Sequence, residues 1–167
     1  ERAVELAEKT GADVIKAKLA GLLHDIMKNV PEKEMLQFIE DSGIILLYAD
    51  LCAPQLWHAI AGAAYLKEKL GIDDPDVINA VRYHTTGRAG MSKLEKVVYL
   101  ADLTSADRDY PDVKKARKIA DRSLDEGVLY GSEFLIADLV QKERVLHPET
   151  LACYDELERQ GVRVNGR

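Results

Sequence analysis

The 167-residue chain has two cysteines, Cys52 and Cys153, far apart and outside any C-x-x-C spacing. That argues against a disulfide framework and suits a reducing compartment, so the expected location is the cytoplasm. Long apolar runs are also missing. The longest, Ile44 to Ala49, is far short of the roughly 18–20 residues of a bilayer span, so no membrane partner is expected. Excess positive charge is absent too: 23 Lys and Arg stand against 29 Asp and Glu, for a net charge of −6. A surface that grips a nucleic-acid polymer is usually basic, so that partner class is set aside. A small anion is not, because one metal ion and a few cationic side chains outweigh net charge locally. No signal peptide, internal repeat, low-complexity tract or linker is visible, nor any nucleophile–base pair or glycine-rich phosphate cradle.

What is present is helical periodicity from end to end. Ala3, Val4, Leu6 and Ala7 share one face of a first helix that ends near Thr10-Gly11. Its first turn has no Ser, Thr, Asp or Asn ahead of it as a cap, so the native polypeptide is expected to start upstream of Glu1. A second helix is predicted from Asp13 to Met27, and a third from Pro31 to Ser42-Gly43. Ile44 to Ala49 reads as a buried turn of helix. Pro54 opens a long helix to Leu70-Gly71, and Asp74-Pro75 opens another that ends at His84. Ser92 with Glu95 makes a capping box for the next. Two or three helices follow the Tyr110-Pro111 turn, broken near His147-Pro148. The expectation is one all-α domain over residues 1–167, a single helical bundle.

The residues that carry chemistry are His24 and Asp25, adjacent in the chain, with His58, His84 and Asp102 downstream. Each shares a helical stripe with apolar residues three, four or seven positions away, which turns it inward. A lone histidine on such a stripe is usually a core residue bonded to a carbonyl. A buried carboxylate is harder to set aside, because desolvating it unpaired is costly. Three histidines and two aspartates on separate helices of one small domain therefore point to a metal site. Imidazole mixed with carboxylate, without thiolate, suits iron, manganese, zinc or cobalt rather than calcium. Lys28 stands one turn past Asp25 (HDxxK), and Arg88 and Arg108 lie in loops beyond the metal-bearing helices, where an anion clamp would sit.

Five stretches then carry a resemblance: AGLLHDIMK (residues 20–28), LWHAIAGA (56–63), AVRYHTTGR (80–88), MSKLEKVVYLAD (91–102) and LHPET (146–150). In this order they resemble the HD-domain superfamily of metal-dependent phosphohydrolases, and within it the bacterial YqeK family, symmetrical hydrolases of diadenosine tetraphosphate. The resemblance implies an HD-type bundle and a divalent ion, iron foremost, held by His24, Asp25 and Asp102. His58 and His84 would hold phosphates or a second metal, and Asp25, Lys28, His58 and His84 would carry the chemistry. Thr85 and Arg108, with Val145, Leu146, His147, Pro148, Glu149 and Thr150 wrapping the nucleoside, would bind substrate, and Arg88 is added to them from its loop position; spacing alone makes His147 a helix-boundary residue. The resemblance also implies a further metal-binding histidine about one and a half turns upstream of Glu1. Where the family has Glu-Pro after its LAD motif this chain has Ser105-Ala106, so the loop bearing Arg108 is expected to differ in shape.

The function so implied is metal-dependent cleavage of diadenosine tetraphosphate to two ADP. The alternatives are another HD-type activity, such as a deoxynucleotide phosphatase or 5′-nucleotidase, and a non-catalytic sensor of metal and nucleotide. A helical interaction module with fortuitous histidines is the third. Ile26 and Met27 after His24-Asp25, in place of a Glu-Asp pair, argue against a guanosine tetraphosphate hydrolase. A homodimer is left open.

Overall fold

The computed structural model describes residues 1–165. Among them are ten α-helices and no strand. They are α1 (Arg2–Thr10), α2 (Val14–Leu23), α3 (Glu32–Asp41), α4 (Tyr48–Leu51), α5 (Trp57–Leu70), α6 (Pro75–Arg82), α7 (Lys93–Thr104), α8 (Val113–Arg122), α9 (Leu124–Gln141) and α10 (Pro148–Arg159). A 3-10 turn, Pro54–Leu56, leads into α5. No helix among these residues is long and apolar enough to cross a membrane.

α7 is the axis of the bundle, packed against α1, α2, α6, α8 and α9. Leu94, Val97, Val98, Leu100 and Ala101 on it are buried, which leaves Asp102 at the edge of the main core. Its start is the capping box expected from sequence: Ser92 Oγ accepts the Glu95 N–H, and Glu95 reaches back to the Ser92 N–H. Ala3, Leu6 and Ala7 turn into the core, and Gly11 ends α1 at φ 68, a left-handed conformation that glycine adopts without strain. α3 and α5 bury a second, smaller cluster of Met27, Met35, Ile39, Trp57, Ile60 and Ala61.

Three boundaries differ from the sequence expectation, each for a local reason. α2 stops at Leu23 rather than Met27, because bonding beyond it runs from i to i+3: Ile26 N–H to Leu23 O, Lys28 N–H to Asp25 O, Val30 N–H to Met27 O. α6 stops at Arg82, so His84 lies in the turn that follows. The segment 44–49 is not a buried turn of helix. Ile45 is 90% and Tyr48 79% exposed, while burial begins only at Ala49 and at Asp50 just past the segment. Asp50 is held from three sides: its carboxylate accepts the Leu47 N–H and meets His147, and its carbonyl accepts the Trp57 indole N–H.

Candidate metal centre

His24 and Asp25 sit on the tight turn after α2, where residues three apart stand nearly eclipsed. That brings Lys28 Nζ to 2.6 Å from Asp25 Oδ2. His58 comes from the first turn of α5, His84 from the turn after α6, and Asp102 from the last turns of α7. All five converge. Asp25 Oδ1 lies 3.2 Å from His58 Nε2 and 3.5 Å from His84 Nε2. His24 Nε2 lies 3.4 Å from Asp25 Oδ2 and 3.8 Å from Asp102 Oδ1. The two Nε2 atoms of His58 and His84 are 3.2 Å apart.

The protons explain why these groups belong to a cation. Each imidazole donates its Nδ1–H to a carbonyl three residues back: His24 to Gly21 O at 2.9 Å, His58 to Gln55 O at 2.8 Å and His84 to Val81 O at 2.7 Å. A neutral ring fixed this way presents a lone pair at Nε2, the arrangement that orients metal-ligating histidines. Three lone pairs therefore face one another and a carboxylate. Asp25 Oδ1, buried, has no hydrogen-bond donor among the described residues. Converging acceptors with no donor repel, and a cation among them removes the repulsion. His24, Asp25 and His84 offer three ligand atoms within 4.8 Å of one another, and Asp102 adjoins them through His24. The donor set fits a divalent first-row ion.

Without a cation in the centre, a proton takes its place on His24. Burial works against charge on His24, but Asp102 and Asp25 outweigh it and raise its pKa to about 10, so Nε2 holds a proton between the two carboxylates that a metal ion would displace. Burial likewise disfavours the Asp25 and Asp102 carboxylates, yet the histidines and Lys28 hold Asp25 far below the usual carboxylate range, and His24 and Arg108 hold Asp102 down to about 2. Burial lowers His84, against the pull of Asp25, so its ring stays neutral and able to ligate. Arg108 closes the edge, its guanidinium donating to Asp102 Oδ1 at 2.6 Å and to the Asp102 carbonyl at 3.0 Å.

A cavity of about 580 Å³ opens from this centre, within the size range of small-ligand sites. His84, Thr85, Asp102 and Arg108 line its inner end; Tyr110, Phe134, Leu135 and Leu139 line an apolar end. Thr85 Oγ1 is buried there without a hydrogen-bond partner among the described residues. Of the segment 145–150, Val145, His147 and Thr150 line the cavity, whereas Leu146, Pro148 and Glu149 do not. His147 is also the N-cap of α10: Nδ1 accepts the Glu149 N–H, so Nε2 carries the proton and donates to Asp50 Oδ1 at 3.0 Å. Arg88 lies outside both the centre and the cavity. Its guanidinium is forked onto Glu95, both bonds 2.7 Å, and rests over the Tyr83 ring. Sequence reasoning missed Asp50, Tyr99, Tyr110, Phe134 and Arg144 at this site. None shows a spacing that separates it from core or surface; only the helix packing brings them here.

The HD-domain profile matches residues 1–107, the part that carries all five converging groups. The chain belongs to the HD-domain family. Two curated relatives are named symmetrical bis(5′-nucleosyl)-tetraphosphatase. The Bacillus subtilis protein is 38% identical over 155 residues, 93% of this chain and 83% of that protein. The Halalkalibacterium halodurans protein is 40% identical over 160 residues, 94% of this chain and 83% of that one. Among solved structures, a predicted HD superfamily hydrolase involved in NAD metabolism from Clostridium acetobutylicum superimposes with a TM-score of 0.92. It shares 36% identity, over 95% of this chain and 84% of that one. HD membership and the His/Asp group together assign this chain a divalent metal.

Proposed function

We propose that the chain is a hydrolase that cleaves diadenosine tetraphosphate at its central bridge to give two ADP, with iron as the native ion. The observation that carries the proposal is the convergence of three imidazoles and two carboxylates beside a nucleotide-sized cavity, into which two of them, His84 and Asp102, open directly. The names of the relatives in Bacillus and Halalkalibacterium supply the substrate class. His24, Asp25 and Asp102 would hold the ion, joined by His84, with His58 beside them. An ion in that set supplies a Lewis acid for a phosphoryl oxygen and acidifies water near neutral pH.

The remaining work falls to the chain. Lys28 and Arg108 stand on opposite carboxylates of the centre. They would neutralise charge that spreads over the phosphate oxygens as the bridge breaks, a contribution of positioning and electrostatics. Thr85 offers a buried hydroxyl to the same oxygens. One nucleoside half would extend into the cavity toward Tyr110 and Phe134, whose rings lie 5.0 Å apart. Two free thiols, Cys52 and Cys153, accord with a reducing, cytoplasmic setting.

Incubation with diadenosine tetraphosphate and a panel of divalent ions, followed by chromatography, tests the reading. ADP as the sole product is expected. AMP with ATP would overturn the symmetric assignment, and no turnover with any ion would overturn the enzyme.

A further inference from the structure

The cavity beside the metal centre holds a polar group that the protein itself does not use. Tyr99 is 4% exposed and lines the cavity, yet its hydroxyl makes no hydrogen bond to any described residue. Thr85 apart, whose hydroxyl lies at the metal-side end, the neighbouring hydroxyls differ: Thr86 donates to Gly87 O, Thr150 to Thr86 O, and Tyr110 to Leu103 O. A phenylalanine would fill the Tyr99 site without a polar atom to desolvate, so core packing alone does not account for the phenol. Burial raises its ionisation far above the ordinary tyrosine range, which keeps it a proton donor.

The surroundings are shaped to it. A Cβ at Gly131 would stand 2.6 Å from Leu103 Cδ2, closer than real Cβ atoms approach a neighbour, and 3.2 Å from the Tyr99 hydroxyl, tighter than nine in ten such contacts. α9 thus leaves out a side chain where the phenol ends. Position narrows the ligand atom. Tyr99 lies one turn before Asp102 on α7, and Gly131 one turn before Phe134 and Leu135 on α9. The hydroxyl therefore stands between the metal-side end of the cavity, where phosphate belongs, and the apolar end, which suits a base.

We propose that the Tyr99 hydroxyl donates a hydrogen bond to a ribose oxygen of the nucleotide half seated in this cavity, with Gly131 providing the space. The inference rests on the nucleotide reading given above. It is tested by inhibition of the metal-loaded enzyme by ADP and by pyrophosphate, in the wild type and in Tyr99→Phe. Loss of one net hydrogen bond should weaken ADP inhibition about fivefold and raise KM to match. Pyrophosphate inhibition, metal content and melting temperature should be unchanged, since the variant breaks no bond within the described protein. Gly131→Ala, which invades the same space, should weaken ADP more than pyrophosphate. Unchanged ADP inhibition in Tyr99→Phe overturns the inference alone, as does an equal loss for pyrophosphate, which would move the contact to phosphate. A wild type that neither binds ADP nor turns over substrate would remove the nucleotide reading itself.

Discussion

Asp102 and His147 are both polar, enclosed and at the cavity, but their bonds give them different work. Asp102 shares His24 Nε2 and takes Arg108 on the same oxygen. Asp102→Asn keeps the shape and removes the charge that balances a cation. We expect at least about a 100-fold loss of metal affinity and of kcat, judged against the 10–100-fold typical of groups one step further out. Apo stability should shift by no more than about 1 kcal/mol, because the Arg108 pair is partly solvated. Metal analysis with a melting curve checks both, and full occupancy with normal turnover would exclude Asp102 as a ligand. His147 has both ring nitrogens engaged, one on a helix cap and one on a buried carboxylate. His147→Ala leaves Asp50 facing an empty site, at a cost of about 3 kcal/mol. It also unties the 145–150 segment from residues 50–56 across the cavity. KM should rise far more than kcat falls, and the reverse would put the ring in the chemistry.

At the scale of elements, the start of α7 shows how a plausible anion clamp becomes structure. Arg88 follows a metal-bearing turn, which made it a substrate candidate. Glu95, 2% exposed, needs a full complement of donors, and it obtains them from Arg88 and the Ser92 N–H. Removing Arg88 strands a buried carboxylate at the base of the helix that carries Asp102. We expect Arg88→Ala to lower stability by roughly 3 kcal/mol while KM for the intact fraction changes less than threefold. Thermal melting beside kinetics at low temperature separates the two. A large KM effect with an unchanged melting temperature would restore Arg88 to the substrate. The turn after α2 makes a related point: its i to i+3 bonding, not α-helical spacing, brings Lys28 onto Asp25.

Over the whole molecule, the metal centre joins α5, α7 and the turns after α2 and α6. An ion bound there ties four parts of the bundle together, and only in the folded chain. At an ion concentration 1,000 times the dissociation constant, linkage adds about 4 kcal/mol. For a chain of this size that corresponds to a rise of roughly 10 °C in melting temperature. Calorimetry with a chelator and then with manganese or iron(II) measures it. No shift with any divalent ion would mean that the converging groups hold none.

The sequence by itself determined the helical class, the capping box at Ser92 and the identity of the converging histidines and aspartates. These are local matters: apolar period, cap chemistry, and polar residues placed on apolar stripes where burial demands a partner. The tertiary structure decided what spacing does not carry. It set α2 to end at Leu23, exposed Ile45 while burying Asp50, turned Arg88 onto Glu95, and brought His84 into the tightest ligand group. It also assembled the cavity from Tyr99, Tyr110, Phe134 and His147, residues distant in the chain. A side chain's partner across the bundle depends on how whole helices pack, and that sums contacts from every element at once.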